Sequence, residues 1–139
     1  MRSECFLDTN ILIYAAAGRE DEPHKFAIAQ RIIRTERFGV SAQVLAEFYT
    51  TVIRRPAVPL PLEEVDRWID LLCCYPVAPM DETIVRAAVA MSRAFRVGYW
   101  HAATLAAAER LSAPVLYSED LSHGQTYGSV RVLNPFLPV

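Results

Sequence analysis

The chain has 139 residues, 53% of them apolar and 22% charged, with a formal net charge of −2. That is enough chain for one domain with a real core, and too apolar a composition for a disordered protein. The near-neutral balance argues against a broad basic surface for nucleic acid, although a local strip of arginines fits inside it.

Three cysteines, Cys5, Cys73 and Cys74, show no metal-type spacing. Their apolar surroundings read as buried thiols of a reducing compartment. With no leader-like start and no apolar run of membrane-spanning length, the expectation is a cytoplasmic protein with no membrane partner.

In chain order, "CFL" reads as a short buried strand leading to Asp8 and a helix "ILIYAAA" that ends at Gly18. Glu20 to Glu22 and Pro23 mark a loop and helix start, and Phe26, Ala29, Ile32 and Ile33 keep helical period. "GV" is a minimal strand, and Ser41 is placed to cap "AQVLAEFYTTVIRR". Pro56, Pro59 and Pro61 stiffen a crossing loop before the helix "LEEVDRWIDLLCC" and a short strand in "YPVAP". Asp81 caps "ETIVRAAVAMSRAF", and Gly98 breaks the chain before "YWHAATLAAAERL". "APVLYSED" is a strand ending in acid, "LSHGQTYGS" a loop and "VRVLNPF" the last strand. Strands alternating with helices predict a parallel sheet covered on both faces, with any site beyond the strands' carboxyl ends.

Three acids stand out on that scheme. Asp8 directly follows a strand, so it either caps the next helix or belongs to a site. Glu47 borders the apolar stripe of its helix, in line with Gln43 and Thr51, as a solvated flank or a ligand. Asp120 ends the strand "PVLYS" just after Glu119, as a loop cap or a second edge carboxylate. If the three converge, their mutual repulsion calls for a cation, and a divalent metal is the economical one.

The segments "FLDTNILIY", "SAQVLAEFYTTV", "YWHAATLAAAERL" and "LYSEDLSHGQ" resemble, in order, the signature segments of PIN-domain proteins, and more narrowly of VapC-type toxin ribonucleases of type II toxin–antitoxin systems. The resemblance covers nearly the whole chain as one PIN-like domain, residues 1–139. It implies an α/β three-layer sandwich with a five-stranded, mainly parallel sheet between helices. It also implies RNA cleavage with Mg²⁺ or Mn²⁺ held by four acids, a small antitoxin as partner, and a homodimer. Carried across by position, Asp8 matches the first acid, Glu47 the second and Asp120 the acid after the fourth core strand. Asn10, Ser118 and Glu119 join them as residues around the ion, with no fixed role for Glu119.

The third acid is missing. His101 stands where the family has aspartate, in "YWHAA". Magnesium prefers oxygen donors, whereas nitrogen suits Mn²⁺, Zn²⁺ and other transition metals. The first turn of a helix carries partial positive charge, which favours the neutral imidazole. His101 then binds a softer metal, positions a water, acts as general base, or only fills space beside a weakened site.

If the chemistry survives, Asp8, Glu47 and Asp120 hold one or two cations for phosphodiester hydrolysis by an activated water. Thr9, Asn10 and Ser118 orient waters or carboxylates, or simply cap the helix. His24 and His123 read as surface residues. Arg54 and Arg55 favour the end of their helix or touch phosphate, and Tyr99 and Trp100 pack or stack a base. The alternative is a catalytically silent module that binds RNA or antitoxin through the same scaffold. A phosphoryl-accepting protein of response-regulator type fits poorly, because the sole lysine, Lys25, lies in the wrong element.

Overall fold

Cys5, Phe6 and Leu7 are all buried and form β1 (Cys5–Leu7), a strand without polar alternation because both its faces are covered. The computed structural model describes residues 2–54 and 59–138. After β1 the chain runs through α1 (Thr9–Ala17), α2 (Pro23–Thr35), β2 (Phe38–Ser41), α3 (Ala42–Val52), α4 (Leu62–Leu72) and β3 (Val77–Ala78). It continues with α5 (Glu82–Phe95), α6 (Tyr99–Arg110), β4 (Val115–Tyr117), β5 (Thr126–Tyr127) and β6 (Val130–Leu133).

The strands form one sheet in the order β3-β2-β1-β4-β6-β5. All pairings are parallel except β5 with β6. Among the described residues there are six strands rather than the expected five. The extra one lies in the stretch read as a loop, where Gly128 at φ +61° turns Thr126–Tyr127 back onto Val130–Arg131. From β1 the chain steps outward to β2 and β3, then returns to β4 on the other side of β1. The switch point of the sheet therefore lies between β1 and β4.

Local chemistry sets the helix starts. Ser41 Oγ accepts the Val44 N–H at 3.1 Å, and Asp81 Oδ1 accepts the Ile84 N–H at 3.1 Å, each closing a first turn. Asp81 also receives both bonds of Arg110 Nη1, at 2.9 and 2.8 Å, which ties α5 to α6. In α6, residues 102 to 108 are all buried, so this helix has no polar face there. Its alanines let it approach β2, β3, β4 and β6 closely, and α5 covers its other side. Among the described residues no helix is long and apolar enough to cross a membrane.

Two expectations change. Helix α3 stops at Val52, with Arg54 in the following turn, so the arginine pair does not close it; Arg55 and Pro56 lie outside the described residues. Cys5 is buried, and burial pushes its thiol up to about 12. Cys73 and Cys74 are exposed instead, because α4 ends at Leu72 and they follow its last turn.

Gly39 marks the tightest approach of β2 to the end of α6. A Cβ there would sit 2.5 Å from Leu111 Cδ1 and 2.6 Å from Ser3 Oγ, in a fully packed layer. Gly39→Ala is expected to destabilise the fold by about 1–3 kcal/mol through overpacking. The check is a lower urea midpoint at unchanged slope; an unchanged midpoint would mean that Leu111 and Ser3 move aside freely.

Candidate metal centre

Asp8 follows β1 immediately, and Ser118 follows β4. Because Leu7 pairs with Tyr117 in parallel register, the two strands deliver these residues side by side at the same edge. The Asp8 N–H donates to the Tyr117 carbonyl at 3.1 Å, which carries the ladder one residue further. Asp8 Oδ1 accepts the Thr9 N–H at 2.8 Å as the cap of α1. Asp8 Oδ2 accepts the Ser118 hydroxyl at 2.7 Å. The cap and the site are therefore the same residue, one oxygen serving each.

Ser118 is fully buried and bonded on every side. While its hydroxyl donates to Asp8, its oxygen accepts the Asp120 N–H at 3.1 Å and the Asn10 side-chain amide at 3.4 Å. Asn10 Nδ2 also lies 3.5 Å from Asp8 Oδ2 and 3.3 Å from Asp120 Oδ2, so one amide faces both carboxylates. The N-terminal turn of α6 brings His101 to the same place. One ligand atom from each of Asp8, His101 and Asp120 lies within 4.8 Å of the others.

The donor set fits a divalent ion. Bonds of about 2.1 Å separate the donors of an octahedral ion by roughly 3.0 to 4.2 Å, so small side-chain movements close this cluster around a cation. Two carboxylates and one imidazole are a mixed oxygen–nitrogen set that suits Mn²⁺ better than Mg²⁺. Asn10 Oδ1 and Thr9 Oγ1, beside Asp8, are buried polar atoms with no partner among the described residues.

The trio that converges is not the expected one of Asp8, Glu47 and Asp120. Glu47 lies on the exposed flank of α3, where Oε1 accepts the Gln43 amide at 2.8 Å, and it stays outside the close cluster. Its charge is still felt at Asp8, which places it at the same end of the sheet. Glu119 departs further from expectation. Oε1 accepts the Tyr14 hydroxyl and Oε2 the Lys25 ammonium at 2.9 Å, so both oxygens serve partners outside the cluster. Lys25 and Tyr14 are the site neighbours that sequence reasoning missed, and the only signal for them was a single lysine in an arginine-rich chain. His24 is exposed. His123 is exposed as well, with Nδ1 accepting the Asn134 N–H at 2.9 Å. Trp100 is 64% exposed and edge-on to Tyr99, with ring centroids 5.0 Å apart.

The PIN domain model matches residues 5–128. The chain belongs to the PIN domain family. Among solved structures, this PIN domain is similar to a toxin–antitoxin complex from Klebsiella pneumoniae, with a TM-score of 0.70 at 17% identity over 94% of this chain and 97% of that one. It is also similar to VapC20, a sarcin–ricin loop-cleaving toxin of Mycobacterium tuberculosis, with a TM-score of 0.64 at 17% identity over 84% and 89%. A third is VapBC2 from Rickettsia felis bound to a fragment of promoter DNA, with a TM-score of 0.62 at 15% identity over 92% and 96%. No curated protein matches the chain by sequence.

Burial pushes the Asp8 carboxyl above its ordinary value. Hydrogen bonds from Ser118 and Thr9 lower it, and the charges of Asp120 and Glu47 raise it again. The folded chain then holds this proton more tightly than the unfolded chain does. Asp8 favours folding below the unfolded carboxyl value of about 3.9, and that contribution is lost as pH rises through the raised folded value. In this PIN domain, Asp8→Asn keeps a capping side chain and removes the charge. Without metal it should raise the melting temperature at pH 7 by about 3 °C or more, the shift that about 1 kcal/mol gives a domain of this size, and the gain should shrink toward pH 4. A lower melting temperature at pH 7 would show that the Asp8 hydrogen bonds outweigh the repulsion.

Proposed function

We propose that this PIN domain is a metal-dependent endoribonuclease, the toxin of a toxin–antitoxin pair, acting in the cytoplasm as a homodimer held in check by a small antitoxin. The observation that carries the reading is the convergence of Asp8, His101 and Asp120 within 4.8 Å at the sheet's switch point. Three similar folds supply the biological direction: two are toxin–antitoxin assemblies and one is an RNA-loop-cleaving toxin.

In this reading Asp8, Asp120 and His101 hold the cation, with Glu47 reaching in from the flank through its flexible stem. When bound, a divalent cation supplies Lewis acidity toward a phosphodiester and a water of lowered pKa. The chain does the rest. Ser118 and Asn10 fix the direction of both carboxylates before substrate arrives. Glu47 is exposed, and among the described residues its carboxylate is bonded to Gln43 through Oε1, which leaves its other oxygen open toward the cation. Arg54, in the turn after α3, offers a cation to RNA phosphate.

His101 favours a second reading, a PIN module that binds without cutting, and one substitution separates the two. Purified protein should cleave structured RNA with Mn²⁺ more efficiently than with Mg²⁺, by about tenfold, and not at all in excess chelator. His101→Asp should narrow that preference by improving cleavage with Mg²⁺. Cleavage that survives chelation sinks the mechanism, whereas cleavage seen only after His101→Asp supports the silent module. Ser118→Ala should lower metal affinity about 10- to 100-fold, read by titration calorimetry; unchanged affinity would exclude Ser118 from holding the site.

A further inference from the structure

Lys25 is the only lysine in the chain, and it lies in the first turn of α2, the end of a helix that disfavours a cation. Something outside the helix holds it there. Lys25 Nζ donates to Glu119 Oε2 at 2.9 Å and to the Tyr14 hydroxyl oxygen at 3.2 Å. It also sits over two rings, 4.8 Å from the Tyr14 centroid and 5.6 Å from that of Phe136. Tyr14 completes the group by donating its hydroxyl proton to Glu119 Oε1 and meeting Phe136 edge-on at 5.2 Å. With side-chain exposures of 29% and 21%, the ion pair is partly sheltered, unlike the exposed pair of Glu82 and Arg86.

The group has a consequence for its neighbour. Glu119 lies between Ser118, whose hydroxyl holds Asp8, and Asp120, whose carboxylate joins the close cluster. Asp120 is exposed, and its carboxylate has one hydrogen-bond donor among the described residues, the Asn10 amide at 3.3 Å. Its N–H is held by Ser118 Oγ at 3.1 Å, so beyond Asn10 and Ser118 the direction of Asp120 depends on the turn that carries it. Glu119 is anchored at both oxygens, to α1 through Tyr14 and to α2 through Lys25, and a fixed Glu119 fixes the turn that aims Asp120.

We propose that Lys25, Tyr14 and Glu119 form a positioning clamp that sets the 118–120 turn, so that Asp120 meets Asp8 and His101 at the distance a cation needs. The proposal rests on the metal-centre reading above. The clamp touches neither ion nor substrate. Lys25 also neutralises Glu119, keeping a further bare negative charge away from the acids next to it.

The test uses the full chain free of metal and measures Mn²⁺ binding, by the electron paramagnetic resonance signal of free Mn²⁺, beside thermal melting without metal. Lys25→Met should weaken Mn²⁺ binding about tenfold at a temperature where both proteins are folded. Lys25→Arg, which can still bridge Glu119, should restore most of the affinity. Glu119→Gln keeps the shape and the Tyr14 contact, and it should weaken binding too. Combined with Lys25→Met it should add little further loss, because the two residues act as one unit. If Lys25→Met fails to fold, Glu119→Gln and Lys25→Arg carry the same comparison. Folded variants that bind Mn²⁺ as tightly as the natural chain overturn the clamp and leave the metal centre standing, whatever their melting temperatures. A natural chain that binds no Mn²⁺ overturns both.

Discussion

Two carboxylates cannot share one edge of a sheet at close range unless something between them satisfies both. In this protein the Asn10 amide faces both carboxylates, and the Ser118 hydroxyl donates to Asp8 while accepting the Asp120 backbone N–H. A hydroxyl is suited to the task because it donates once and accepts twice: here the proton goes to Asp8 and the lone pairs receive the Asp120 N–H and Asn10. A methyl group in its place would leave Asp8 Oδ2 buried with the distant Asn10 amide, at 3.5 Å, as its donor among the described residues. The arrangement also demands the sheet as it is. The parallel register of Leu7 with Tyr117 makes residues 8 and 118 neighbours, and a slip of one residue would turn one of them to the opposite face. The site thus depends on the β1–β4 pairing, which places Asp8 beside the turn that carries Asp120.

The same dependence explains what could be read from the sequence. Ser41 and Asp81 announced themselves because an N-cap is chemistry within three residues, and both cap as expected, while Asp8, left open between cap and site, caps α1. The buried helix α6 and the strands β1 and β4 were visible as apolar runs with clear punctuation. What lay hidden is what distance in sequence conceals. β5 is two residues long and exists only because a glycine turn lays it on β6, so no periodicity marks it. Cys73 and Cys74 looked buried because the apolar run continues past the point where α4 stops. Glu119 and Asp120 are adjacent acids in the bend after β4, and their side chains go to different partners, Lys25 and Asn10. Composition alone could not say which of the two faces the site. The partner that draws Glu119 away lies 94 residues earlier in the chain.

His101 is best understood from the charge already present. Asp8 is buried, and Asp120 and Glu47 both oppose its ionisation. A third acid at position 101 would deepen that opposition and make the metal-free protein harder to fold with its site charged. An imidazole offers a donor atom without adding negative charge, which relieves the empty site and weakens its pull on a hard cation at the same time. Under the proposed metal-dependent function, an imidazole there would favour metals that accept nitrogen over magnesium. It also leaves the carboxylate frame of Asp8, Ser118, Asn10 and Asp120 intact, since none of those hydrogen bonds passes through His101. A site that had merely decayed would be under no constraint to keep that frame closed. Here Ser118 remains fully buried and saturated, Asn10 remains aimed at both acids, and His101 remains within ligand distance of them. That geometry is what supports the proposed metal centre over the alternative of a silent module.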